Sequence, residues 1–122
     1  MPWNEGVKTF TAGADLEAKR RVKIATGTTL IPPGVVHAGA GEAFIGVTEY
    51  AVKNGEPVAV RLKSDSGSFE VECVVGTAIA PGTALYGAAD GRLSDTISGE
   101  AQAIALQAAA ASNEHIEVLL GA

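Results

Sequence analysis

Residues 42–62, EAFIGVTEYAVKNGEPVAVRL, decide the fold. Phe44, Ile45 and Val47 open a strand, and Gly46 interrupts them where the strand bends or another backbone comes close. Lys53-Asn54-Gly55-Glu56 reads as the turn, because Asn-Gly tolerates the positive φ of a type I′ hairpin. Val58, Val60 and Leu62 then alternate with Ala59, Arg61 and Lys63, the period of a strand with one buried face.

A weaker echo follows. Ile79-Ala80-Pro81-Gly82-Thr83-Ala84-Leu85 has the layout of Val52 to Val58, with apolar residues three before and three after a turn glycine. Ile31-Pro32-Pro33-Gly34-Val35 has a similar turn, ending a short strand at Thr29-Leu30-Ile31. Phe69, Val71, Cys73 and Val75 share one strand face, with Glu70 and Glu72 on the other. Leu85-Tyr86 leads to a second hairpin turn at Asp90-Gly91. Arg21 to Ile24 alternates as a strand, although Glu17 and Arg21 also have helical spacing. Ile116 to Leu120 is a strand; residues 101–107 read as its partner, with a short helix over 100–111 as the competitor. The expectation is a mainly β protein, a small single-domain β-barrel or β-sandwich of short antiparallel strands with at most one short helix.

At 122 residues the chain has the size of one domain. Hydrophobic residues make up 47% but aromatics only 5%, so the core must be built from aliphatic side chains. A formal charge of −5 disfavours binding to nucleic acid backbone, which needs clustered cations. A single cysteine, Cys73, forms no internal disulfide. Residues 1–5 show neither the basic nor the apolar region of a signal peptide, and no apolar run is long enough to span a bilayer. These features predict a soluble protein with no membrane partner.

Residues 1–13 stand apart from the β-rich domain expected over 14–122. Pro2, Asn4, Gly6 and Gly13 break regular structure there, while Trp3, Val7 and Phe10 are apolar. Such a segment reads as an N-terminal arm whose three large side chains dock on its own domain, a neighbouring subunit or another partner.

Nothing in the chain forms a catalytic set. His37 as a general base would need a nucleophile and an orienting acid. Cys73 stands mid-strand in line with apolar neighbours, which suits a buried small hydrophobe. His115, beside Glu114 and Glu117, has no metal-ligand spacing to His37. Asp65-Ser66-Gly67-Ser68 lacks the lysine of a phosphate loop and the spacing of a calcium loop. Glu70 and Glu72 read as solubilising charges, and Lys19-Arg20-Arg21 as a surface cluster balancing nearby acids. No enzyme activity, cofactor or metal is expected.

The order of these elements resembles a known family. Arg21-Val22-Lys23-Ile24 is followed by Phe44-Ile45-Gly46-Val47-Thr48 and by Asn54-Gly55-Glu56-Pro57-Val58-Ala59-Val60. Then come Ala78 to Tyr86 around Pro81-Gly82, Ala88-Ala89-Asp90-Gly91-Arg92-Leu93, and an Ala-rich hairpin ending Ile116-Glu117-Val118-Leu119-Leu120. In this the chain resembles the tailed-phage capsid cement, or head decoration, proteins from about residue 20 to the end of the chain. The resemblance implies a β-rich structural protein on the outer surface of a phage head, present in the host cytoplasm during assembly. It implies a homotrimer that bridges and stabilises subunits of the major capsid protein. The segment around Trp3 matches no shared pattern. The alternative from composition is a small ligand- or carbohydrate-binding β module, which would want an aromatic platform that three Phe, two Tyr and one Trp scarcely supply.

Overall fold

The computed structural model describes residues 6–65, 67–75 and 78–120. Ten strands close into two five-stranded barrels. The first contains β1 (Val7–Ala12), β2 (Arg21–Ile24), β3 (Gly34–His37), β4 (Gly46–Thr48) and β5 (Pro57–Leu62). The second contains β6 (Phe69–Val74), β7 (Ala84–Gly87), β8 (Leu93–Ser94), β9 (Ala101–Ala105) and β10 (Glu114–Leu120). No α-helix occurs among the described residues, and 101–105 is a strand paired with β10.

The two barrels have one topology. Around the first the order is β1-β3-β2-β4-β5, and shifting every number by five reproduces the second. The parallel β1–β3 contact corresponds to the parallel β6–β8 contact; every other pairing in both barrels is antiparallel. Register agrees too. Phe10 opposite Val58 stands where Val71 opposite Ile116 stands, and Val22 opposite Gly46 where Leu85 opposite Ala103 stands. Leu16 and Val52 exchange backbone hydrogen bonds of 2.9 and 3.0 Å; Ile79 and Ala109 do the same at 2.8 and 3.0 Å.

This equivalence corrects the echo seen in sequence. Gly82 N–H donates to Ala105 O, as Lys19 N–H donates to Thr48 O. The partner of Ile79-Pro81-Gly82-Leu85 is therefore Leu16-Ala18-Lys19-Val22, and Lys19 carries the positive φ (59°) that Gly82 carries at 91°. The counterpart of Gly55 is Asn113, also at positive φ; their N–H groups donate to Ala12 O and Cys73 O.

The turns form at the expected places with one exchange of type. In 53–56, Glu56 N–H reaches Lys53 O at 3.0 Å, and only Gly55 (φ 88°) is left-handed, which makes a type II turn. Type I′ geometry instead falls on Asp90 (φ 59°) and Gly91 (φ 77°), between β7 and β8. The strands around Asn54-Gly55 stop short of their turn, because residues 49–56 dock elsewhere. Val52 bonds to Leu16, and Asn54 N–H donates to the Asp15 carboxylate at 2.9 Å. Residues 29–31 are loop rather than strand: Thr28 Oγ1 accepts from the N–H groups of Leu30 and Gly34, curling the chain before β3. Gly46 meets the expected close approach, since a Cβ there would lie 2.3 Å from Arg61 O.

Residues 7–12, assigned above to an arm, form β1, paired with β5 on one side and β3 on the other. Phe10, Ala12, Leu16, Val22, Val35, Val58 and Val60 fill the first barrel. Phe69, Val71, Cys73, Leu85, Leu93 and Ile116 are among those filling the second, and Ala38, Phe44 and Val47 of the first barrel join that cluster. The barrels thus share a core and form one domain.

Candidate functional surface

The seam between the barrels is built on Arg21. Its neighbour Val22 points into the first barrel, so Arg21 points out, in a cross-strand row Arg21–Val47–Arg61. The second barrel covers that row, and Arg21 is fully buried. Its guanidinium donates to Arg92 O (3.1 Å), Ala88 O (2.8 Å), Gln102 Oε1 (3.1 Å), Gly39 O (3.2 Å) and Glu42 O (3.2 Å). Burial pulls its pKa down to about 10, opposed by the charge of Glu42.

Arg20 extends the seam, with an ion pair to Glu72 (3.0 Å) and a hydrogen bond to Asp90 O (2.9 Å). His115 Nε2 lies 3.2 Å from the other Glu72 oxygen. Glu72 and the Arg20-Arg21 pair, read from sequence as exposed charges, are therefore inter-barrel contacts; Glu70 is exposed as expected. The alternating pattern placed both groups on an outer face. It carried no sign that the outer face of one barrel is the inner face of a pair. Arg61 stacks over Phe69 with its guanidinium carbon 3.9 Å from the ring centre, and also binds Asp65 (2.8 Å).

The residues that could carry chemistry are engaged otherwise. Cys73 is buried, and desolvation pushes its thiol up to about 12. His37 Nε2 accepts the Glu17 N–H at 3.1 Å; burial, then the nearby charge of Arg20, lowers its pKa. Among the described residues no three His, Cys, Asp or Glu side chains are grouped to hold a metal ion. Phe10, Phe44 and Phe69 are buried, leaving Tyr50 as the one exposed aromatic among the described residues. Two grooves flank the seam: one of about 490 Å³ is lined mainly by charged side chains, the other of about 650 Å³ by Phe44, Lys63 and Gln102 among others. Each is lined by one phenylalanine, Phe69 in the first and Phe44 in the second, but both rings are buried, under Arg61 and Lys63.

Of the interface candidates, Trp3 lies outside the described residues. Phe10 is inside the first barrel, and Val7 at the start of β1 is exposed. Asn54, Gly55, Pro81, Gly82, Asp90 and Gly91 are turn residues, and Gly91 also touches the seam, its N–H donating to Ala38 O at 2.7 Å. Among the described residues every strand has a neighbour on both sides, so they offer none of the free strand edges that a small β domain could use for pairing. Partners must be met by side chains and loops.

The model of one family, described as phage cement protein, matches residues 3–120. The chain belongs to the phage cement protein family. Its members are structural proteins of phage capsids, and the match spans both barrels. Among solved structures, the chain is similar to the crystal structure of the head fiber gp8.5 N base of bacteriophage phi29. The identity is 18%, the match covers 94% of this chain and 92% of that one, and the TM-score is 0.76. At that identity the likeness concerns the fold. No curated protein matches the chain.

Proposed function

We propose that this cement protein decorates the outer surface of a phage head as a homotrimer and stabilises contacts between neighbouring major capsid subunits. The observation that carries this reading is the family match over residues 3–120. The physical make-up supports it. Twin closed barrels joined through a buried seam suit a structural additive, and a threefold assembly multiplies a modest patch per subunit into strong avidity. A net charge of −5 disfavours contact with the packaged DNA backbone, in keeping with a protein partner. The protein folds in the host cytoplasm and joins the head during assembly.

The test is co-sedimentation of the purified protein with heads lacking it, alongside light scattering of the free protein. The expected result is saturable pelleting in multiples of three per binding site and raised resistance of the heads to heat. Heads that neither bind it nor gain resistance would overturn the reading.

A further inference from the structure

The internal repeat makes a comparison possible that a single barrel does not. The row Arg21–Val47–Arg61 on the outer face of β2, β4 and β5 is covered by the second barrel. Its counterpart in the second barrel is Ala84–Ile104–Leu119, read from the same register. There Ala84 is exposed, Ile104 half-buried and Leu119 45% exposed. Leu106, at the position of Glu49, is exposed beside them, as is Ile97 (76%) in the β8–β9 loop that corresponds to residues 38–45. One barrel's row is capped; the equivalent row on the other is apolar and open.

The covering surface has a counterpart too. In the seam the second barrel presents Ser68 just before β6, Phe69 and Glu72 within it, the β7–β8 turn (Ala88 to Arg92) and Gln102 of β9. The same parts of the first barrel are the start of β1 and the β2–β3 loop. Val7 at the start of β1, Ile24 at the end of β2, and Leu30 and Ile31 in the loop are all exposed, Ile31 at 96%. Of the eight large hydrophobic side chains exposed among the described residues, only Tyr50 lies outside these two surfaces.

We infer that a second copy of this chain docks its β1 start and β2–β3 loop on the open face formed by Ala84, Ile104, Leu106 and Leu119, repeating between chains the contact that joins the barrels within one. The join is head to tail: each chain uses one surface to cover and the other to be covered. Such a contact continues until a ring closes. The occupant is a second copy because the complement already exists within the chain, at the topologically equivalent place, and bears the matching apolar residues. The inference rests on the self-association proposed above and specifies the surfaces that carry it.

Two double variants test it: Ile104→Glu with Leu119→Glu on the open face, and Leu30→Glu with Ile31→Glu on the covering loop. All four positions are exposed or half-buried, and urea unfolding of each variant checks that the barrels stay intact. Light scattering should show the wild type as an oligomer and each variant alone as a 12.3 kDa monomer. Mixed, the two variants should form a one-to-one heterodimer and nothing larger, since one intact surface remains on each. An interface that uses a single patch on both partners would give no heterodimer. If both variants keep the wild-type mass, these surfaces are not the interface while the trimer reading stands. A wild type that stays monomeric at every concentration and on heads sinks both.

Discussion

Replacing Arg21 by methionine keeps a side chain of similar length and removes the donors at the seam. The accounting depends on which acceptors keep a partner. Arg92 O still receives the Ala88 N–H (2.8 Å), Glu42 O the Gln102 amide (2.9 Å) and Gly39 O the Glu42 N–H (3.2 Å). Ala88 O has no other donor among the described hydrogen bonds, and Gln102 Oε1 loses its bond to Arg21 as well. An orphaned buried acceptor costs about 1–3 kcal/mol; Ala88 O and Gln102 Oε1 both lose their donor, and three weakened acceptors add to the cost. Against this, the variant no longer buries a cation whose pKa of about 10 records its desolvation. Four of the five acceptors are fixed backbone carbonyls that cannot turn to new donors, so the loss dominates, at about 3–5 kcal/mol summed over the lost and weakened bonds. For a domain with about 5–15 kcal/mol in all, that is a large fraction. With a urea slope of about 2 kcal/mol/M, the midpoint should fall by about 2 M at unchanged slope. Arg21→Lys keeps the charge but only three N–H groups and should fall about half as far. An Arg21→Met midpoint within about 0.3 M of the wild type would refute the reasoning.

Three further outcomes are expected. Gly55→Val places a β-branched residue at φ 88° where its Cβ meets nothing, so the cost is backbone strain alone, about 1–3 kcal/mol, while Gly55→Asn should be close to neutral; equal melting temperatures for Val and wild type would dismiss the left-handed turn. Cys73 should resist a thiol reagent in the native protein under mildly alkaline conditions and react fully in urea; rapid native labelling would contradict its burial. The folded pKa of His37 lies below its ordinary 6.5, so the unfolded chain takes up the proton first, and stability is full above that value and falls as pH drops below it. Arg20, Glu17, Asp90 and Glu72 face the ring, and His37→Gln, which keeps an acceptor for the Glu17 N–H, should flatten the urea-midpoint decline between about pH 7 and about pH 5.5; an unchanged slope would assign the acid lability elsewhere.

The strands were legible where one face of an alternating run was buried, as at 58–62, 69–74 and 116–120, because period two needs no knowledge of partners. Turns were legible from Gly and Pro, yet the type at Asn54-Gly55 was not, since it depends on Leu16 and Asp15 drawing the loop aside. The repeat stayed hidden because its equivalent positions hold different residues: Lys19 for Gly82, Arg21 for Ala84, Val47 for Ile104. Backbone geometry, and not side-chain type, is what the halves share. For the same reason Val7 and Phe10 looked like an arm. Six residues between breakers are too few to announce a strand that is paired on both sides only after β3 and β5 arrive.

The contrast between Arg21 and Ala84 follows from how each face is covered. Within the chain the covering barrel is tethered through residues 63–68, so its effective concentration is high and little association entropy is lost. Such a seam tolerates a desolvated guanidinium and gains specificity from its five directional hydrogen bonds. Between chains the same contact must overcome the lost freedom of two molecules, and a buried cation would add its own desolvation to that cost. Ala84, Ile104 and Leu119 carry no such penalty, and burying them contributes about 25 cal/mol for each Å² covered. One fold position thus holds arginine where the contact is permanent and apolar residues where the proposed contact must form anew. Putting the cation back, as Ala84→Arg, should therefore weaken self-association while leaving the urea midpoint of the monomer unchanged. Unimpaired association would mean that the open face is not where copies meet.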